Sequence, residues 1–145
     1  SSCLGTDPVA PLAVLREKSK GMGPTLLTKV LRFAVPSVYG AIDSNLVSFF
    51  GVSNDEADTG GVGWLDLKVS DYGYGPHIRD TQPGWPSEYG TWVGIRKDLA
   101  AALDDVGEPC PHPQAFVDNG LRDEGVWLPA DAEMALFSFV ALQCD

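Results

Sequence analysis

Hydrophobic and polar residues alternate in several short stretches of the chain, which is typical of strands buried on one face. Residues 62–69 show the pattern most clearly, since Gly63, Leu65, Leu67 and Val69 share one face and Val62, Trp64, Asp66 and Lys68 occupy the other. Less regular patterns and β-favouring residues predict four further strands, which cover residues 26–35, 46–52, 91–96 and 133–143.

The last of these stretches has two interpretations. Pro129 and the acidic residues after it are typical of the start of a helix, and Met134, Ala135 and Leu136 are good helix formers. In contrast, 137–140 contains aromatic and β-branched residues that favour a pleated surface. We expect residues 133–143 to form a strand that is buried on both faces.

Helices are predicted in three places. Thr6-Asp7-Pro8 resembles a capped helix start and predicts a short helix within residues 8–20. Asp98 precedes apolar residues at helical spacing and Gly107 ends the pattern, while residues 115–119 suit a single turn. The expected fold is therefore mainly β, an antiparallel sandwich or barrel with two or three short helices, with an α+β fold as the alternative.

Length and composition favour one folded domain. The chain has 145 residues, of which 44% are hydrophobic, so it can build an apolar core without metal or disulfide crosslinks. We expect a single β-rich domain over residues 1–145, with residues 1–24 as a basic N-terminal arm or short helix. No apolar run is long enough to span a bilayer, which predicts a soluble protein without a membrane span.

The net charge of -10 makes nucleic acid an unlikely main partner, because phosphates would be repelled. The charge is also unevenly placed: residues 1–36 carry five basic and two acidic side chains, and the rest of the chain is strongly acidic. The basic segment, with Arg16, Lys18 and Lys20 as candidate assembly residues, either packs on its own chain or contacts the next copy in an assembly.

Residues 71–92 form the most informative region. Seven of the positions 71–90 are Gly or Pro, which predicts a long structured loop. Five of the eight Tyr and Trp residues lie in this region, close to polar side chains that could orient a ligand. The candidate binding residues are Tyr72, Tyr74, His77, Arg79, Trp85, Tyr89 and Trp92. The alternative is that the rings pack on the loop itself and fix it to the core.

The three cysteines leave two possibilities open. In a reducing compartment all three are free thiols, whereas in an oxidising one Cys110 and Cys144 are the natural disulfide pair. Cys110-Pro111-His112 also resembles the ligand pairs of zinc and copper sites, but further ligands would have to come from distant residues. We therefore expect neither a metal nor a cofactor.

The sequence contains no nucleophile elbow, phosphate-binding loop, zinc-protease motif or complete dinucleotide-binding motif. These absences favour a non-catalytic structural subunit of a homo-oligomeric particle, such as a virion, whose partners are copies of itself. One alternative is a glycan- or small-ligand-binding module that uses the loop at 71–92. The other is a carboxylate-dependent hydrolase, with pairs such as Asp71 with Asp80 or Asp118 with Asp123. A particle or an extracellular location is slightly favoured over the cytoplasm.

Overall fold

The computed structural model describes residues 7–52 and 61–143, and within these ranges the chain is mainly helical. Six helices hold 51% of the described residues, and the strands form one antiparallel hairpin. The elements are α1 (Ala10–Lys18), α2 (Pro24–Ala34), α3 (Ser44–Phe50), β1 (Val69–Ser70), β2 (His77–Ile78), α4 (Ser87–Asp105), α5 (Gln114–Asp118) and α6 (Pro129–Gln143). No helix in these ranges is both long enough and apolar enough to cross a bilayer.

The prediction of a mainly β fold, whether a sandwich or a barrel, is wrong. The α+β alternative is wrong too, because strands hold only 5% of the described residues. Four of the five predicted strands fall largely in helices, namely 26–35 in α2, 46–52 in α3, 91–96 in α4 and 133–143 in α6.

The helix α2 shows why the alternation of apolar and polar residues wrongly predicted a strand at residues 26–35. Its buried residues include Leu27, Thr28 and Leu31, which are spaced as one face of a helix, and Pro24 occupies its first turn. The partial alternation in this stretch arises because a second set of apolar residues lies on the opposite, exposed side of the same helix. Two apolar faces on one helix can resemble the period of a strand when only a few residues are compared.

Residues 62–69 have the predicted faces but not the predicted strand. Leu65 and Leu67 are fully buried, whereas Trp64, Asp66 and Lys68 are exposed. The backbone of this segment bonds to the end of α3 and to the two residues after it, as in the bond from the Leu65 N–H to the carbonyl of Phe50 (3.0 Å). Pairing with another strand begins only at Val69.

Three helical predictions are confirmed. Residues 8–20 contain α1, residues 115–119 overlap the short α5, and the predicted helix from Asp98 to Gly107 is the second half of α4. Gly107 adopts a φ of 73° just after this helix, a conformation that glycine accepts without strain. The first half of α4 was missed, and it buries Tyr89, Trp92 and Arg96.

The helices enclose one core. α4 packs along α6, α3 packs on α6 and beside the hairpin, and α1 packs on α2. The buried apolar side chains, from Leu12 near the start to Val140 near the end, form a single cluster. With 19 residues, α4 is about 28 Å long.

Hydrogen bonds from buried side chains fix residues 40–42 between α2 and α4. The Tyr89 hydroxyl donates to the carbonyl of Gly40 (2.9 Å), and the Trp92 indole donates to the carbonyl of Ala41 (3.0 Å). From the other side, the Thr28 hydroxyl accepts from the N–H of Ile42 (3.1 Å). Because each bond satisfies a buried backbone group, this segment is held without secondary structure of its own.

A buried group of charges joins α2, α4 and α6. Arg96 and Glu133 are 0% and 4% exposed, and Arg32 Nε lies 2.8 Å from Glu133 Oε2. Burial raises the pKa of Glu133, although Arg32 and Arg96 oppose this shift. Burial lowers the pKa of Arg96 to about 10, so its guanidinium is still charged at neutral pH.

Candidate functional site

Four residues singled out from the sequence meet at one cavity. Arg16 and Lys20, from the predicted basic arm, line a cavity of about 520 Å³ together with His77 and Arg79, from the predicted binding loop. The cavity lies between the turn that joins α1 to α2 and residues 77–81.

Hydrogen bonds and an ion pair orient the charged groups at this cavity. Arg16 Nη2 lies 2.9 Å from Asp80 Oδ2, and both side chains are more than a third exposed. Arg79 donates to the Tyr72 hydroxyl (2.9 Å) and lies over the Tyr72 ring. His77 Nδ1 lies 3.1 Å from the carbonyl of Gly75, so this nitrogen carries the proton.

The balance of charge at the cavity is positive. Three cations face one carboxylate, and Lys20 has no ion-pair partner within the part of the chain that the structure describes. The N-terminal residue of α2, Pro24, also lines the cavity, and this helix end has no side-chain cap. Because the N-terminus of a helix carries a partial positive charge, it adds to the attraction for an anion.

An apolar cavity adjoins the charged one. It has a volume of about 490 Å³ and shares Arg16 and Lys20 with the first cavity. Its remaining lining is one acid, Glu17, and otherwise mostly hydrophobic residues that include Leu12, Leu27 and Trp85. We refer to the two cavities together as the basic site. Its shape and chemistry suit a ligand that carries an anionic group next to an apolar one.

The rings of the predicted binding loop divide into two groups. Tyr72 and Tyr74 are 63% and 94% exposed, and Tyr72 lies near His77, with ring centroids 6.0 Å apart. Trp85, Tyr89 and Trp92 are buried and belong to the core. A binding role for the loop stays a prediction, and the structure leaves Tyr72, Tyr74, His77 and Arg79 available for it.

An apolar stripe runs along the outer face of α2. Leu26, Val30 and Phe33 follow each other at helical spacing, and all three are exposed, with Phe33 at 76%. Lys29 is also exposed on this helix and has no ion-pair partner among the described residues. The stripe begins two residues after Pro24, which lines the first cavity.

The opposite end of α4 is acidic. Residues 98–124, which we call the acidic end, contain seven acids and one base, Arg122, whose Nε already lies 3.2 Å from Asp131 Oδ2. Three apolar side chains are exposed among these acids: Val106 (77%), Phe116 (44%) and Leu121 (60%). The basic site contains Trp85, which precedes α4, whereas the acidic end begins in the second half of that helix, so the two surfaces lie towards opposite ends of α4.

Comparison with family models, curated proteins and solved structures finds no match to this chain. The interpretation of both surfaces therefore depends on their geometry and chemistry.

A second cluster of chemical interest lies near the acidic end. The ligand atoms of Cys110, His112 and Asp131, which we call the Cys110 cluster, all lie within 4.8 Å of one another. Burial raises the pKa of the Cys110 thiol to about 11, so the sulfur carries its proton at neutral pH. Cys110 is a free thiol in the structure, and its predicted disulfide partner, Cys144, lies outside the described residues.

Sequence reasoning missed the apolar half of the basic site and the third member of the Cys110 cluster. Leu12 and Leu27 were expected to lie in separate elements, and nothing in the local pattern brings Trp85 to them. Asp131 could have been noticed because it lies three positions after Leu128, where an acid caps a helix; its carboxylate accepts from the Leu128 N–H (3.0 Å). That signal identifies a helix start, but not a neighbour of Cys110.

Three of the four acids named for hydrolysis have other partners. Asp80 pairs with Arg16, Asp71 accepts from the N–H of Gly73 (2.8 Å), and Asp118 accepts from the side chain of Gln114 (2.9 Å). These contacts explain the acids locally, and a hydrolytic role for them stays a prediction.

Proposed function

We propose that the protein is a non-catalytic subunit that self-associates, with its basic site receiving the acidic end of a second copy. The observation that carries the proposal is the placement of two complementary surfaces at opposite ends of α4. Such a subunit is suited to building a particle from identical chains.

The two surfaces match in charge. Arg16, Lys20 and Arg79 face outward at the basic site, while the acidic end has six more acids than bases. Opposite potentials guide the encounter of two molecules and fix their orientation. Because these charges are exposed, they contribute more to the rate and direction of docking than to its free energy.

The two surfaces also match in apolar character. The stripe of Leu26, Val30 and Phe33 would supply apolar area on one side, and exposed residues such as Val106 and Leu121 would supply it on the other. Removal of apolar surface from water contributes about 25 cal/mol per Å², so these residues provide the main driving force.

The arrangement predicts contacts of the head-to-tail kind. α4 is about 28 Å long and runs from the basic site to the far part of the acidic end, so neither surface can reach the other within one molecule. When the basic site of one copy binds the acidic end of another, the pair still has one unoccupied basic site and one unoccupied acidic end. Further copies then add until a ring closes or a filament grows.

Two variants test the pairing directly. Lys20→Glu with Phe33→Asp blocks the basic side, and Val106→Lys with Leu121→Lys blocks the acidic side; all four residues are exposed. We expect the wild type to form oligomers in light scattering and each variant to be monomeric. An equimolar mixture should form a 1:1 dimer, because each variant keeps the surface that the other lacks. Leu142→Asp, at a residue 73% exposed on α6 outside both surfaces, is the control and should assemble like the wild type.

Three outcomes would contradict the proposal. A wild type that is strictly monomeric at micromolar concentration would remove self-association altogether. Variants that still assemble would show that other surfaces make the contact. Two folded monomeric variants that fail to pair when mixed would exclude the head-to-tail arrangement.

A second candidate function is binding of a small anionic ligand or an acidic glycan at the basic site. It is favoured by the concave shape of the two adjoining cavities, each of about 500 Å³, and by the exposed ring of Tyr72 beside them. A panel of sulfated and carboxylated glycans provides the test. Binding that is lost in Arg79→Ala and kept in Leu142→Asp, by a wild type that stays monomeric, would favour this function over assembly.

A further inference from the structure

The Cys110 cluster combines three kinds of metal ligand in one place. Cys110 offers a sulfur, His112 a ring nitrogen and Asp131 a carboxylate oxygen, and these atoms lie within 4.8 Å of one another. A cation placed between them would need each atom at about 2.0–2.3 Å, a distance that small side-chain movements can reach from this starting arrangement.

His112 is held in the orientation of a metal ligand. Its Nε2 lies 2.7 Å from the carbonyl of Val126, which can only accept, so Nε2 carries the proton. In the neutral tautomer that this bond selects, the lone pair of Nδ1 lies on the side of Cys110, with 3.6 Å between Nδ1 and Sγ. Metal-binding histidines usually donate their second nitrogen to a carbonyl or a carboxylate in this way.

Asp131 has room for one more contact. Its Oδ2 accepts from the N–H of Leu128 (3.0 Å), and both of its oxygens lie within 3.3 Å of Arg122 Nε. A carboxylate has about four lone-pair positions, so these bonds fix its orientation and leave a position for a metal. The same bonds hold it at the start of α6, facing Cys110.

The backbone around the cluster is restrained. Pro109, Pro111 and Pro113 limit the dihedral angles of the segment that carries Cys110 and His112. The N–H of Cys110 donates to the carbonyl of Gly125 (2.8 Å), which ties this segment to the chain that leads into α6. The segment that carries two of the three ligands is therefore fixed relative to the start of α6, where the third ligand lies.

We propose that Cys110, His112 and Asp131 bind a zinc ion with three protein ligands. Thiolate, imidazole and carboxylate are the ligand types that zinc prefers, whereas calcium and magnesium prefer oxygen ligands alone. A cavity of about 260 Å³ adjoins all three residues, so the fourth position is open to water. On binding, the bond between zinc and Sγ forms and the proton of the thiol passes to solvent.

Cobalt(II) titration of the 145-residue chain tests this site. In a Cys3→Ser/Cys144→Ser background, Cys110 is the only thiol, so a sulfur-to-cobalt charge-transfer band reports coordination by this residue. We expect one equivalent of cobalt to produce the band and one equivalent of zinc to abolish it. Zinc should also protect Cys110 from alkylation and raise the melting temperature, because a ligand of the folded state alone stabilises it.

Variants separate coordination from folding. Cys110→Ser, His112→Gln and Asp131→Asn should each weaken zinc binding by at least about tenfold in calorimetric titration, while His77→Gln and Asp118→Asn should leave it unchanged. Circular dichroism of the metal-free variants identifies any that fail to fold. His112→Gln keeps the inference testable even if Asp131→Asn unfolds, because the His112 ring is partly exposed.

Two results would overturn the inference. One is the absence of stoichiometric zinc binding by the folded wild-type chain. The other is cobalt or zinc binding that Cys110→Ser and His112→Gln leave unchanged, which would place the metal elsewhere.

Discussion

The guanidinium of Arg96, in the middle of α4, lies directly against the backbone of Gly40. Its Nη1 atom occupies the space that a Cβ at position 40 would need. Arg96 is fully buried, and Nη1 also donates to the carbonyl of Pro129 (3.4 Å), so it has no free space into which to move. Glycine is thus required at position 40 by close approach.

Gly40→Ala is therefore expected to lower the free energy of unfolding by about 1–3 kcal/mol, the usual cost of overpacking. Gly94→Ala is the matched control, because it lies in α4 with no atom near its Cβ position. Gly94→Ala should raise the free energy of unfolding by about 0.5–1 kcal/mol, because alanine has a better helix propensity than glycine. Urea unfolding of both variants measures the difference. Equal effects would show that Arg96 does not pack against position 40.

The buried charges joining α2 and α6 lead to a second prediction. Glu133→Ala removes the carboxylate that faces Arg32 and Arg96, and this leaves the fully buried Arg96 and the partly buried Arg32 without their anion. Breaking a buried pair in this way costs about 3–5 kcal/mol. The exposed pair of Arg16 and Asp80 is the comparison, and Asp80→Ala should cost less than about 1 kcal/mol. Thermal unfolding that affects both variants equally would contradict a special role for the buried group.

The raised pKa of Tyr89 should make the folded state less stable at alkaline pH. Burial raises the pKa of Tyr89 well above its ordinary value of 10.0, and its hydroxyl donates to Gly40. Above about pH 10 the unfolded chain loses this phenolic proton while the folded chain keeps it. The free energy of unfolding should therefore fall as the pH rises above 10, and the fall should continue up to the pKa of the folded state.

Urea unfolding of Tyr89→Phe between about pH 9 and 11 tests this linkage, since the variant should show a shallower decline than the wild type. Thr28→Val is the control: it also loses a buried hydrogen bond, worth about 1 kcal/mol, but it has no titrating group. It should keep the slope of the wild type. Identical slopes for wild type and Tyr89→Phe would contradict the assignment.

The sequence allowed some faces to be predicted, but not the elements that carry them. Leu65 and Leu67 were correctly placed on the same face, and the structure buries both, because burial follows hydrophobicity whatever the backbone does. Whether a stretch forms a helix or a strand depends on which backbone groups its N–H and C=O groups bond to. Short apolar stretches fit the two-residue period of a strand as well as the 3.6-residue period of a helix. In α6, apolar residues lie on almost every side, so no helical stripe was visible.

Cap residues were the stronger signals, and they were given too little weight. Asp43 accepts from the N–H of Leu46 (2.9 Å) and so begins α3, where a strand was expected. Pro24 and Pro129 likewise occupy the first turns of α2 and α6. A proline or an acid before an apolar run therefore decided the element more reliably than the run itself.

The sequence identified several residues of the basic site, but it did not show that they lie together. Charge placement identified Arg16 and Lys20, and loop composition identified His77 and Arg79, but only the path of the chain brings the two pairs together. Composition also could not separate the buried ring of Trp85 from the exposed ring of Tyr74, since both lie among the same glycines and prolines. Trp85 is buried because it lies just before α4, which starts at Ser87. From the sequence, residue 87 was expected to lie in a loop, so this burial could not be predicted.

Changing the ionic strength should separate the electrostatic contribution to self-association from the contribution of buried apolar surface. Raising the salt concentration from about 0.1 M to about 1 M shortens the screening length from about 10 Å to about 3 Å. The rate of association should fall strongly, because steering between the basic site and the acidic end depends on unscreened charge. The dissociation rate should change much less, since burial of Phe33 and its neighbours on α2 is not screened by salt.

Phe33→Ser should show the opposite pattern, with a near-normal association rate and faster dissociation, because it removes apolar area and leaves the charges in place. Stopped-flow light scattering measures both rates. Association that does not depend on salt would mean that the charged surfaces take no part in the contact. A dissociation rate that Phe33→Ser leaves unchanged would remove the α2 stripe from the interface, and the head-to-tail contact would then have to rest on the cavities of the basic site alone.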